Sequence, residues 1–215
     1  GLIAELPTQS ASEALVLADS LGAAFRAGKI QGSTYVSGLA ALINHDAWDV
    51  VDAAMGQLEQ LTNIVDSSQL DSLEHAYRAM VLPRFSRVAG PRDVGAELLQ
   101  QRMQRFLIVI AKDQEMRQPL ALKAAARIGL NGSPDPSAVP VNELETVLSI
   151  GVQDLGEAFF ELLLKTARRS EVPTGRQSAR GAVARVGEAG GGGRVLSGVL
   201  AGGCGGAGGG GGGGG

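Results

Sequence analysis

Apolar residues recur three and four positions apart through most of this chain, the period of helices that each bury one face. Ala14, Leu17, Leu21, Ala24 and Phe25 make the first stripe, with Ser12 placed to cap it and Gly28 to close it at a position needing positive φ. Ser33 or Thr34 opens a short second helix that turns Tyr35, Val36, Leu39, Leu42 and Ile43 inward. Asp46 caps a third, whose stripe is Trp48, Val51, Met55, Leu58 and Leu61, and Asp49 in its first turn suits the helix dipole. A fourth starts at Ser67 or Ser68 and carries Leu70, Leu73, Tyr77 and Met80, until Pro83 ends or kinks it.

Beyond the turn Ala89-Gly-Pro91 a long helix spans about Asp93 to Lys112, burying Leu99, Met103, Phe106, Leu107 and Ile110. Its partner spans about Glu115 to Ile128, with Leu120, Ala124 and Ile128 inward and Gly129 just past its end. Asn131-Gly-Ser-Pro-Asp-Pro136 is the clearest loop. Asn142 caps a helix to about Val152 that turns Leu144, Val147 and Leu148 inward. Others follow from Glu157 to Arg169 and from Thr174 to Val186. No alternating strand pattern occurs.

The fold class is therefore all-α. The helices fall into consecutive pairs of about 40 residues joined by short loops, which implies antiparallel neighbours stacked as a HEAT-like α-α superhelix with a concave face. Residues 1–186 read as this helical solenoid domain. From 187 to 215 glycine dominates, ending in an unbroken run from Gly208 to Gly215. Glycine carries the largest backbone entropy cost and buries no side chain, so this tail builds no core. The island Arg194-Val-Leu-Ser-Gly-Val-Leu-Ala201 inside it reads as one surviving helix, and the glycines around it as stand-ins for unassigned residues rather than a linker.

Charge and cysteine content narrow the function classes. A net charge of −3 gives no basic footprint for nucleic acid or an anionic membrane. The single cysteine, Cys204, lies in the tail, so there is no disulfide framework and the compartment stays open. No apolar run approaches the roughly 20 residues of a membrane span.

Little of the chain carries chemistry. The two histidines, His45 and His75, are far apart and neither sits in a His-Glu-x-x-His pattern, so no zinc site is expected. His45 could pair with Asp46 as an acid–base unit; the simpler reading is a loop histidine ahead of a helix cap. His75, beside Glu74, falls on a polar helix face. Gly187 to Gly193 lacks the Lys-Ser/Thr of a phosphate loop. The only tryptophan, Trp48, is in phase with Val51 and Met55 and reads as core rather than as a ligand-stacking residue. Arg102 and Arg105, three apart on the long helix, share one side of it. They are the candidate peptide-binding pair, because guanidinium groups grip carboxylates as a fork. The alternative is a solvated basic stripe pairing with Glu97 or Gln101.

The step Arg102-Met-Gln-Arg105 into the aliphatic run ending at Ile110 resembles the C-terminal helical domain of M1-family zinc aminopeptidases, of the endoplasmic-reticulum aminopeptidase type. Pro140-Val-Asn followed by Val147-Leu-Ser-Ile-Gly151 is similar to that domain's proline-opened helix, and Gly156-Glu-Ala-Phe-Phe-Glu-Leu-Leu to its glycine-then-aromatic helix. Leu17-Ala-Asp19 through Ala27-Gly28 and the turn from Asn44 to Trp48 match in the same order. Ser20 and Leu21 depart from the family's Asp-Ala-Phe. The resemblance implies a non-catalytic domain that encloses the active-site chamber of a larger enzyme and helps admit and position peptides. Its partners would be the upstream catalytic domain and peptide substrates. The zinc and its ligands would lie in the upstream domain, with no cofactor here, and the chain alone would be inactive. The competing expectation is a stand-alone HEAT-like scaffold whose concave face binds a protein.

Overall fold

The computed structural model describes residues 9–88 and 94–169. The expected helix from Thr174 to Val186, the glycine-dominated tail and Cys204 lie outside the described residues. All regular structure among the described residues is helical: α1 (Ala11–Arg26), α2 (Gly32–Ile43), α3 (Trp48–Thr62), α4 (Leu70–Val88), α5 (Val94–Val109), α6 (Gln114–Ile128) and α7 (Leu144–Arg169). A single 3₁₀ turn, Ser67–Gln69, leads into α4. The all-α expectation holds. The chain divides into two compact units, residues 1–119 and 120–215.

In the first unit α2 packs on α3, α1 touches both, α4 packs on α5, and α3 also meets α5. Tyr35, Leu39, Leu42 and Ile43 of α2 join Val50, Val51, Ala54, Met55 and Leu58 of α3, Tyr77 and Val81 of α4, and Leu99, Met103, Phe106 and Leu107 of α5 in one core. Burying such side chains stabilises the fold by about 1.5–3 kcal/mol each relative to exposure. The face α1 buries completely is Ala14, Ala18 and Gly22, one residue per turn, while the expected Leu17, Leu21 and Phe25 pack at its margin. Small residues there let α1 lie close to its neighbours.

The helix starts depart from the sequence reading. Ser10, not Ser12, caps α1, in a capping box in which Glu13 answers the Ser10 backbone N–H at 3.1 Å. That hydrogen bonding, foremost from the Ser10 hydroxyl, lowers the pKa of Glu13. At α3 the N-cap is Ala47 without a side-chain cap, and Asp46 is left exposed. Trp48, expected in the core, is 47% exposed. It occupies the first position of α3, and helical side chains slant back toward the N-terminus, so its ring projects past the packed turns that hold Val51 and Met55. Pro83 stays inside α4, which continues to Val88. The buried residues of α4 are Glu74, Tyr77 and Val81, with Leu73 and Met80 only half-buried.

The second unit has its own core of Ala124, Ile128, Val139, Leu144, Val147, Leu148, Phe159, Phe160 and Leu163. Gly129 ends α6 at φ +77°, as its position after the last apolar residue required. Asn142 is exposed and α7 begins at Leu144. Gly156, at φ 73° and ψ −157°, interrupts α7, a conformation open in practice only to glycine. The break folds Phe159 against Gly151, which divides α7 close to where the sequence separates two helices.

Candidate functional site

The two nominated arginines have different fates. Arg102 turns from α5 toward α3, where its Nε donates to Asp52 Oδ1 at 2.5 Å and a terminal nitrogen donates to Glu59 Oε1 at 2.6 Å. Asp52 and Glu59 lie seven apart, two turns of helix, so both carboxylates come from one side of α3. Burial pulls the Arg102 pKa down, and the hydrogen bonds and charges of Glu59 and Asp52 outweigh it, so the net effect is a rise. The Arg102 guanidinium grips two carboxylates of this chain. Glu97 instead accepts from Gln101 at 3.3 Å. Arg105 is exposed, with no hydrogen bond or ion pair to a side chain among the described residues. The structure therefore does not bring the two guanidinium groups together.

A second polar constellation, which sequence reasoning missed, surrounds the corner after α5. Lys112 adopts φ 48°, the left-handed region, and its Nζ reaches the buried Glu74 of α4 at 2.7 Å. Arg78 donates to the Ala111 carbonyl. Arg117, fully buried, donates to the Ile108 carbonyl at 2.8 Å, while the Asp113 carboxylate receives the Met116 N–H at 3.1 Å. Asp113 three positions before Met116 is a legible cap. Nothing local marks Glu74 and Arg78 as its companions. Every group found at this corner answers a charge or a backbone atom of the same chain, so its work is to hold the turn.

His45 lies in the link ahead of α3, as the simpler reading had it, and is buried there at 5% exposed. Its Nδ1 accepts the Ala47 N–H at 3.0 Å and its Nε2 lies 3.0 Å from the Gln9 carbonyl. No acid–base pairing with Asp46 is formed; Asp46 stands 3.9 Å from Arg84. His75 is exposed on α4, as its polar face implied. One imidazole is committed to backbone at both nitrogens, and the other stands on the surface. Among the described residues no group of three His, Cys, Asp or Glu side chains is placed to hold a metal ion. No described helix is long and apolar enough to cross a membrane.

The geometry among the described residues is that of an all-helical framework, and comparison with known families agrees with it. The model of the ERAP1-like C-terminal domain matches residues 2–202. The chain belongs to that family. Neither a curated protein nor a solved structure matches the chain. Membership in the ERAP1-like C-terminal domain family points to a domain of an M1 aminopeptidase, one part of a larger polypeptide. In this ERAP1-like domain Arg105 is the arginine of the pair left facing solvent.

Proposed function

We propose that this chain is the non-catalytic C-terminal domain of a zinc-dependent M1 aminopeptidase, enclosing the active-site chamber and helping to admit and position peptide substrates. The family match over residues 2–202 is the observation that carries the reading. The all-helical build and the lack of any His-Glu-x-x-His in the sequence support it. A curved stack of antiparallel helix pairs would supply the concave wall such a role needs, and its movement would gate entry and release as lids do. The hydrolytic chemistry belongs to the catalytic domain; this chain's own residues supply the wall and its charge.

Within this reading Arg105 is the peptide contact, free to meet a carboxylate, and Arg102 is held by Asp52 and Glu59 one turn away. The test sets this chain beside the longer protein encoded with its upstream sequence. The longer protein should bind zinc and hydrolyse aminoacyl anilides and longer peptides, and this chain alone should do neither. Arg105→Ala in the longer protein should weaken the dependence of kcat/KM on peptide length while leaving anilide hydrolysis intact. A longer protein that is inert and metal-free would overturn the reading and favour a stand-alone scaffold.

A further inference from the structure

The link between α2 and α3, residues 44–47, holds a histidine whose two ring nitrogens are both engaged by backbone. Ala47 N–H can only donate, so Nδ1 must present its lone pair. The neutral ring then keeps its proton on Nε2, which donates to Gln9 O at 3.0 Å. Ala47 is the N-cap of α3 and that helix has no side-chain cap. At α1 the backbone N–H of the N-cap, Ser10, is answered by Glu13; at α3 the equivalent N–H is answered by His45. One imidazole thus ties the chain at Gln9, just ahead of α1, to the start of α3.

We propose that His45 is a proton-sensitive latch joining the Gln9 segment to the start of α3. An imidazolium carries N–H on both nitrogens and has no acceptor, so a proton on Nδ1 and the Ala47 bond exclude each other. The surroundings sharpen this exclusion. From α4, Arg84 donates to the carbonyl of His45 itself at 3.1 Å and Arg87 donates to Asn44 Oδ1 at 2.7 Å, so a protonated ring becomes a further cation in that corner. The opposing charges are Asp46, fully exposed and 3.9 Å from Arg84, and Asp49, whose Oδ1 is taken by the Val50 N–H. On the α1 side Glu13 is held by Ser10. None of these carboxylates accepts from Ala47, whose N–H bond goes to His45 Nδ1 at the entry to the helix that bears Asp52 and Glu59.

The test is NMR on the intact 215-residue chain, following the His45 ring ¹⁵N shifts and the exchange of the Ala47 amide as the solution is acidified. As the ring's own shifts report its second proton, protection of Ala47, corrected for intrinsic exchange, should fall by roughly five- to tenfold, the equivalent of one lost neutral hydrogen bond. His75, exposed on α4, is the control in the same spectra and should leave its neighbours' amides unchanged. His45→Asn places a non-titrating oxygen two residues before Ala47, the Asx-turn geometry, and should keep Ala47 protected through the same range. Unchanged Ala47 protection across the ionisation of His45, or the same acid response in H45N, overturns the proposal.

Discussion

Tyr35 of α2 donates its hydroxyl to Gln57 Oε1 of α3 at 2.8 Å, and Gln57 Nε2 passes the connection on to the Ala18 carbonyl of α1 at 2.9 Å. One glutamine side chain thus joins three helices where α1 is smooth enough to admit it. The Tyr35 ring stacks on Phe25 at 4.4 Å between centroids, 7° from parallel. Tyr35→Phe keeps that stack and strands the Gln57 carbonyl, so it should cost about 1 kcal/mol in denaturant unfolding. Gln57→Leu should cost more than Tyr35→Phe, because it leaves the Tyr35 hydroxyl without its acceptor. Equal stability of all three proteins would show that the bridge contributes nothing.

Arg102→Ala leaves Asp52 and Glu59 facing each other without their cation. Both carboxylates are partly solvated, so the expected loss is about 1–2 kcal/mol, below that of a fully buried pair. Lysine at this position should restore less than half, since a single ammonium cannot copy a fork that reaches two acids at once. Arg105→Ala, by contrast, should stay within about 0.5 kcal/mol of the parent. Chemical denaturation of the three variants checks the order.

Tyr77 is buried between α3 and α5, donating to the Leu58 carbonyl at 2.6 Å and lying 5.5 Å from the ring of Phe106. Burial foremost pushes its phenol up from the ordinary value of 10.0 to about 12, against a smaller downward pull from Thr62. A group whose folded pKa is raised contributes stability that is fully present below its unfolded pKa and is lost as pH rises through the folded one. Stability should therefore decline from about pH 10 to about pH 12. The decline should be shallower in Tyr77→Phe, which has no proton to lose there. Tyr35, raised in the same direction by burial, leaves a smaller alkaline slope in that variant.

In the second unit the two halves of α7 meet at a glycine. A Cβ on Gly151 would stand 2.4 Å from Phe159 Cζ and 2.8 Å from the Ala124 Cβ. Gly151→Ala should therefore destabilise by about 1–3 kcal/mol through overpacking. Adding Phe159→Leu should recover part of that loss if the clash is with the ring. Gly156→Ala meets no neighbour and fails for a different reason, its φ of +73°, at a cost of about 1–3 kcal/mol that trimming Phe159 cannot relieve. Thermal unfolding of the single and double variants separates the two causes.

The first six helices, the glycine stops and the main apolar residues of α2, α3 and α5 were legible because they follow from local period and local backbone chemistry. Leu39, Leu42, Val51, Met55, Leu58, Met103 and Phe106 are buried where their spacing put them. Gly28 and Gly129 sit at positive φ just beyond helix ends. The misplacements arise at helix ends and at long range. Ser10 and Ser12 are both sound caps by residue type, and Glu13, three residues after Ser10, completes the capping box that selects the first. Trp48 has the right phase and the wrong place, one residue into a helix. Arg102 finds its acids 50 and 43 positions back along the chain, where its sequence neighbours Glu97 and Gln101 were expected.

By itself the sequence determined that this is a chain of amphipathic helices, which stretches most of them occupy, which family it belongs to, and that it lacks the histidine pattern of a zinc peptidase. Those properties are written in residue type and spacing within a dozen positions. Only the tertiary structure decided that Arg102 is committed to Asp52 and Glu59, that His45 bridges Gln9 and Ala47, and that Trp48 faces solvent. Such outcomes depend on which helices lie side by side, and a hydrogen bond between groups 36 or 50 residues apart is set by that packing rather than by local spacing.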